Sequence, residues 1–302
     1  MQQPNLFDKV ANILTWTAAC AAVGLLAACS STPVRPADPA KIPAPIRFVL
    51  SFDDGPASSQ PDGPTASILR DLADNPAQPG IKAVFFLQTR AAGAGGSERG
   101  RALMHQEFEA GHVLAFHTAT PRHANHRYLD PSVFEQSLDD GAADIRAVTG
   151  AAPQLVRPPF WSFDERTFAA YQAHGMHILL TDLSANDGKI YGVNFSLRRR
   201  SSMLHQMDAV RARIEAGALP VVDGAIPVVV TFHDINPYTA RHLREYLQIL
   251  EDSARELKLP LADKPFYDDH ETLLRAALAR TVSDPKQHVE LPGLWGWIWS
   301  NQ

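Results

Sequence analysis

The feature that most constrains this chain is a series of short apolar runs separated by helix-like segments, the pattern of βα units and a parallel sheet. Phe48 to Phe52, Ala83 to Leu87, Val113 to Phe116, Gln154 to Val156, His177 to Leu180 and Pro227 to Phe232 are each too short for a typical buried helix, so they read as strands. Between them, Ser132 and Glu135 have capping-box spacing ahead of Phe134, Leu138, Ile145 and Val148, and Gly150 supplies a stop. A second helix is predicted from the acidic cap Asp164 to His174, closed by Gly175. Arg198 to Arg200 reads as a solvated helix start, and Ala91 to Gly100 as a flexible loop.

The residues just after these runs carry the functional signal: Asp53 and Asp54, His117, Arg157, Asp182 and Asp187, and His233. In a (β/α) barrel all strand C-termini meet on one face, so groups some 180 residues apart in sequence would converge there. Two adjacent carboxylates before Gly55-Pro56 suit a tight turn at a strand end. His117, followed within nine residues by His123 and His126, adds imidazoles that could share a metal ion with one carboxylate. A second carboxylate would then be free as a general base, with His233 as a candidate acid. The chain has no Gly-x-Ser-x-Gly elbow, His-Glu-x-x-His pair or phosphate-binding Gly-x-x-x-x-Gly-Lys loop.

Composition narrows the partners. The 302 residues are 45% apolar and 20% charged, enough to bury a sizeable core. A net charge of -5 lacks the basic excess that phosphate backbones demand, so no nucleic-acid partner is expected. Both cysteines, Cys20 and Cys29, lie in the N-terminal apolar stretch, which leaves no disulfide framework for the folded part.

That stretch reads as an address rather than as fold. A short polar start is followed by an apolar run from Val10 to Ala28 that ends in small residues, as secretory signals do. Leu26-Ala27-Ala28-Cys29 resembles a bacterial lipobox, which implies lipidation of Cys29 and a membrane partner through that lipid. Ser30 then resembles outer-membrane sorting signals, so the expected location is the cell envelope, on the outer membrane or a periplasm-facing membrane. Residues 1-29 are the expected signal peptide, 30-45 a proline-rich tether, and 46-302 the domain that carries the chemistry.

The motifs resemble those of the polysaccharide deacetylases of carbohydrate esterase family 4, over roughly Arg47 to Ile235. Ser51-Phe52-Asp53-Asp54-Gly55-Pro56 resembles the family's first motif, and Lys82 to Leu87 the strand that follows it. Gly111-His112 through His117-Thr118 looks like the second, Arg157-Pro158-Pro159-Phe160-Trp161 the third, and Val229 to Asp234 the last. The resemblance implies a distorted (β/α) barrel with the active site at the strand C-termini. It also implies removal of acetyl groups from a polysaccharide containing N-acetylglucosamine, with one divalent ion, expected to be zinc. Asp53 would be the base, with Arg157 orienting it. His233 would be the acid, tuned by Asp187, and Asp54 and His117 would be metal ligands. Phe160 and Trp161 would either flank the sugar or pack in the aromatic core.

Three positions depart from the family pattern. Pro121 stands four residues after His117, where the family has its second histidine ligand. His126-Arg127-Tyr128-Leu129 resembles the end of that motif, so His126 is the expected replacement and His123 the alternative. Gly188 and Thr231 replace a tryptophan and a leucine that border the acetyl pocket in the family. The competing functional reading is a glycan-binding lipoprotein on the same fold with weak or no turnover.

Overall fold

Strand β1 (Ile46–Asp53) is buried along almost its whole length, which suits a strand in a parallel sheet covered on both faces. The computed structural model describes residues 34–185, 187 and 199–289. The expected signal peptide, Cys29, Gly188 and the Trp-rich segment 291–299 lie outside the described residues. Among the described residues, no helix is long and apolar enough to cross a membrane.

The remaining strands are β2 (Ala83–Gln88), β3 (Val113–Thr118), β4 (Leu155–Val156), β5 (His177–Ile178), β6 (Leu183–Ser184), β7 (Ile226–His233) and β8 (Leu261–Phe266). All described pairings between them are parallel, in the order β5-β4-β3-β2-β1-β7-β6, with β8 also paired to β1. No pairing joins β5 to β6 among the described residues, so the barrel is curled but incompletely closed, which is the distorted barrel expected from the motifs. The helices are α1 (Pro64–Ala73), α2 (Glu98–Glu109), α3 (Pro131–Thr149), α4 (Glu165–Ala173), α5 (Arg199–Glu215), α6 (Pro237–Glu256) and α7 (His270–Leu278).

Strand alternation sorts the side chains into two layers. On one face Phe52 stacks between Phe85 and Phe232, and Phe232 meets Tyr246 of α6 edge-on. On the other, Val49, Val84, Phe86, Val113, Ala115, Leu155 and Val229 form one core with Leu273, Ala276 and Ala277 of α7. Continuing with the same parity toward the strand C-termini gives Ser51 and Asp53, Gln88, His117, Arg157, and Thr231 and His233. The interior is therefore apolar where α7 closes it and polar where the strands end.

Local details depart from expectation in four places. Helix α3 is capped by Asp130, whose side chain accepts from Ser132 N at 2.9 Å, rather than by a Ser132–Glu135 box; Gly150 ends it in the left-handed region as expected. The stretch read as a loop to Gly100 is a tight turn that enters α2 at Glu98, because the Ser97 side chain caps Gly100 N. Strands β6 and β8 were not legible as apolar runs. Within the proline-rich segment expected as a tether, Ala37 is buried, its N–H donating to Leu257 O at 2.7 Å, so that residue packs on the domain instead of staying solvated.

Candidate active site

The β1–β7 register places Asp53 directly opposite His233. Asp53 is buried and held by Arg157, whose Nη1 donates to Asp53 Oδ1 at 2.8 Å, to Ser51 Oγ at 2.7 Å and to Thr231 Oγ1 at 3.0 Å. Arg157 Nε donates to Leu179 O, and the guanidinium lies 4.2 Å from the Phe86 ring centre. A fully buried guanidinium needs this many partners to offset its desolvation. Ser51 and Thr231, one on each neighbouring strand, were not singled out as partners in the sequence. Thr231 is fully buried against Arg157, so its side chain is committed to that network rather than to an acetyl pocket.

Asp54 leaves the strand with φ of 74°, a left-handed conformation that aspartate tolerates better than most residues. The turn aims its carboxylate at two imidazoles: Oδ1 lies 3.1 Å from His117 Nε2 and 3.3 Å from His123 Nε2, and the two nitrogens are 3.0 Å apart. His117 Nδ1 lies 2.6 Å from the Arg157 carbonyl, which can only accept. The Nδ1 proton is thus fixed there, and Nε2 keeps its lone pair for the site. Burial and the nearby His117 charge push His123 down to about 4, which keeps its ring neutral at ordinary pH. Burial alone would raise the Asp54 carboxyl, but the surrounding imidazoles of His117, His233 and His123 hold it well below the usual range.

Asp54, His117 and His123 offer donor atoms within 4.8 Å of one another, the set among the described residues that could hold a metal ion. Two imidazole nitrogens and a carboxylate facing one point repel unless a cation or a proton lies between them. The set therefore fits a divalent ion with room for further oxygen ligands. His126 is not part of it. That ring is fully buried under Phe134, with Nδ1 2.6 Å from Tyr171 Oη and Nε2 3.1 Å from Thr118 Oγ1. Both ring nitrogens of His126, the expected ligand, are engaged in the core, and it is His123, the alternative, whose Nε2 faces Asp54 and His117.

On the opposite side His233 Nδ1 lies 2.7 Å from Asp187 Oδ1, and its backbone N–H donates to Asp187 Oδ2 at 2.9 Å. Thr239 Oγ1 also donates to Oδ2, and Asn236 Nδ2 to the Asp187 carbonyl; neither was read from sequence. Burial would lower His233, but the Asp187 carboxylate raises it to about 10. His233 Nε2 sits 3.9 Å from Asp54 Oδ2, so the protonated ring faces the metal-type cluster. Asp182, grouped with Asp187 in the sequence, points elsewhere: it pairs with Arg213 and Arg280 and accepts from Val229 N.

A cleft of about 420 Å³ opens beside Asp54, lined by Ala57, Gln60, Gln88, Gly93 and Ile235 among others. Phe160 and Trp161 follow two prolines and lie in the left-handed region, with φ of 61° and 55°. Phe160 stays 39% exposed and packs its ring 4.6 Å from that of His123. Such strain in two successive non-glycine residues is a mark of functional sites.

Fold and site together define an α/β barrel with a carboxylate–histidine centre between an Asp53–Arg157 pair and an Asp187–His233 pair. Residues 41–179 match the model of the polysaccharide deacetylase family. A chitin deacetylase of Pestalotiopsis sp. is 26% identical over 143 residues, which are 47% of this chain and 44% of that protein. The chain thus spans less than half the length of that curated relative. The structure of the chitin deacetylase from Colletotrichum lindemuthianum superposes with a TM-score of 0.51 at 21% identity, covering 76% of this chain and 88% of that one. Residues 41–179 are thus similar to that family, and the superposition shows a shared fold. The matched residues end before Asp187 and His233, which the geometry alone brings to the site.

Proposed function

We propose that the protein is a metal-dependent hydrolase that removes acetyl groups from a polysaccharide containing N-acetylglucosamine, at the cell envelope and anchored through a lipid on Cys29. The observation that carries the activity is the convergence of Asp54, His117 and His123 between the Asp53–Arg157 pair and the His233–Asp187 pair. Asp54, His117 and His123 would hold one divalent ion, with zinc favoured by the two nitrogen donors. Such an ion, when bound, polarises a carbonyl and lowers the pKa of a water molecule.

The protein's own groups do the rest. Arg157 fixes the Asp53 carboxylate in one orientation, where it accepts a proton from the attacking water. The ion pair with Asp187 keeps His233 protonated, so it can donate to the departing nitrogen and prevent the amine from leaving as an anion. Phe160, exposed beside the His123 ring and followed by Trp161, offers an apolar face against which a sugar ring can lie. The non-catalytic glycan-binding reading is not favoured, because acid, base and donor set are all present and aligned.

Acetate release from chitin oligomers, peptidoglycan and acetylated xylan, each with added zinc and with chelator, tests this. Metal-dependent acetate from a glycan containing N-acetylglucosamine is expected. Binding of such a glycan without acetate release under any metal would favour the competing reading. Incorporation of labelled fatty acid into the wild-type protein but not into Cys29→Ala tests the anchor.

A further inference from the structure

Gln88 is the last residue of β2 and has the strand parity of the inward-facing Val84 and Phe86. It is the one uncharged member of the polar strand-end layer that touches the metal-type cluster. Its Nε2 donates to Asp54 O at 3.1 Å and reaches Asp54 Oδ1 at 3.4 Å, while its backbone N–H donates to Gly55 O at 2.8 Å. One residue thus holds both peptide oxygens of the turn and touches the carboxylate atom that faces His117 and His123. The turn needs such a brace. Asp54 sits at positive φ, a conformation that costs free energy for a residue with a side chain and persists only when its surroundings enforce it. Gln88 is 8% exposed, and its place on the wall of the 420 Å³ cleft leaves no other described side chain donating to the Asp54 carbonyl.

We infer that Gln88 is a positioning residue for the metal centre: its side-chain amide locks the Asp54 turn and aims the Asp54 carboxylate at the point shared with His117 and His123. This rests on the reading of those three residues as metal ligands. Partners that orient a ligand without touching the metal typically account for about 10–100-fold in metal affinity. Gln88→Met keeps the length and the backbone bond to Gly55 and removes only the amide donor, and Gln88→Leu is a second variant with the same loss.

Zinc affinity of the full chain, by competition with a chromophoric chelator, separates the possibilities when wild type, Asp54→Asn and both Gln88 variants are titrated together. Thermal unfolding of each metal-free protein is recorded alongside. Expected are tight binding by wild type, loss in Asp54→Asn, and affinity weakened about 10–100-fold in either Gln88 variant with metal-free unfolding close to wild type. Activity of the Gln88 variants should also fall further at limiting zinc than at saturating zinc. Wild-type affinity in a folded Gln88 variant overturns the inference, as does a loss matched in both variants by collapse of the metal-free fold. Failure of wild type itself to bind zinc would instead remove the metal centre, and the inference with it.

Discussion

His123 and His126 differ by three positions in sequence and by everything in surroundings. Sequence spacing could place either on the ion, because both follow Pro121 in one connection. The decisive contacts are long-range: Tyr171, from α4, captures one nitrogen of His126, and Phe160 presses His123 toward His117. His123→Ala is expected to abolish stoichiometric metal binding. His126→Ala should keep the metal but lose about 2–4 kcal/mol of stability, from the cavity and the stranded Tyr171 hydroxyl. Metal content and urea unfolding of the two variants, side by side, check this. The same scale separates the two carboxylates: Asp53→Asn should bind metal and lose about 10²–10⁴-fold in turnover, as removal of a general base does. Asp187→Asn removes the charge that raises His233, so the alkaline limb of the pH–rate profile should move to lower pH.

At the scale of elements, the site depends on how deeply β3 and β4 sit against their helix. Gly141 of α3 faces Phe116, and a Cβ there would lie 2.1 Å from the Phe116 ring. Phe116 precedes His117 and pairs with Val156, which precedes Arg157. Alanine at 141 would improve helix propensity by about 1 kcal/mol, but overpacking typically costs about 1–3 kcal/mol. The clash with a ring that strand pairing cannot let move should win. Gly141→Ala is therefore expected to lower both the unfolding midpoint and the zinc affinity, and an unchanged affinity would uncouple α3 from the site. Strands β1, β2, β3 and β7 were legible because both faces are buried and their runs are continuous. β8 was not, since Ala262, Asp263, Lys264 and Pro265 carry no buried side chain, and only its pairing with β1 defines it. Gln88 escaped for a related reason: titratable residues at strand ends stand out in a sequence, whereas a glutamine does so only once strand parity and the neighbouring turn are known.

Over the whole molecule, buried titratable groups set stability against pH from both sides. Burial pushes His112, His123 and His126 down, to about 3, about 4 and about 3. The native protein holds them neutral, while the unfolded chain takes up protons near ~6.5. Their contribution is present above ~6.5 and lost as pH falls through about 4 to 3. Glu107 of α2 and Asp234 work in the opposite direction. Both Glu107 carboxyl oxygens and Asp234 Oδ1 are buried without a hydrogen-bond partner. Burial raises both carboxyls, Asp234 to about 7 and Glu107 well above its ordinary value, with the Asp234 charge adding to the rise at Glu107. Their neutral forms favour the fold below ~4, and that contribution is lost as pH rises through about 7. His233, held up by Asp187 against the effect of burial, adds a further loss between ~6.5 and about 10. Between ~4 and ~6.5 three histidines outweigh two carboxyls, so the metal-free protein should be most stable near pH ~6.5 and decline on either side. Glu107→Met tests the alkaline half, because it removes a buried acid with no partner and keeps its approximate volume. The variant should be at least as stable as wild type at pH ~6.5, where an unpartnered buried polar group only costs free energy. It should also lose less stability between pH ~7 and ~9. Urea midpoints across that range, with chelator present, measure both slopes; parallel slopes would mean that Glu107 does not ionise on unfolding and that the alkaline loss arises at Asp234 and His233.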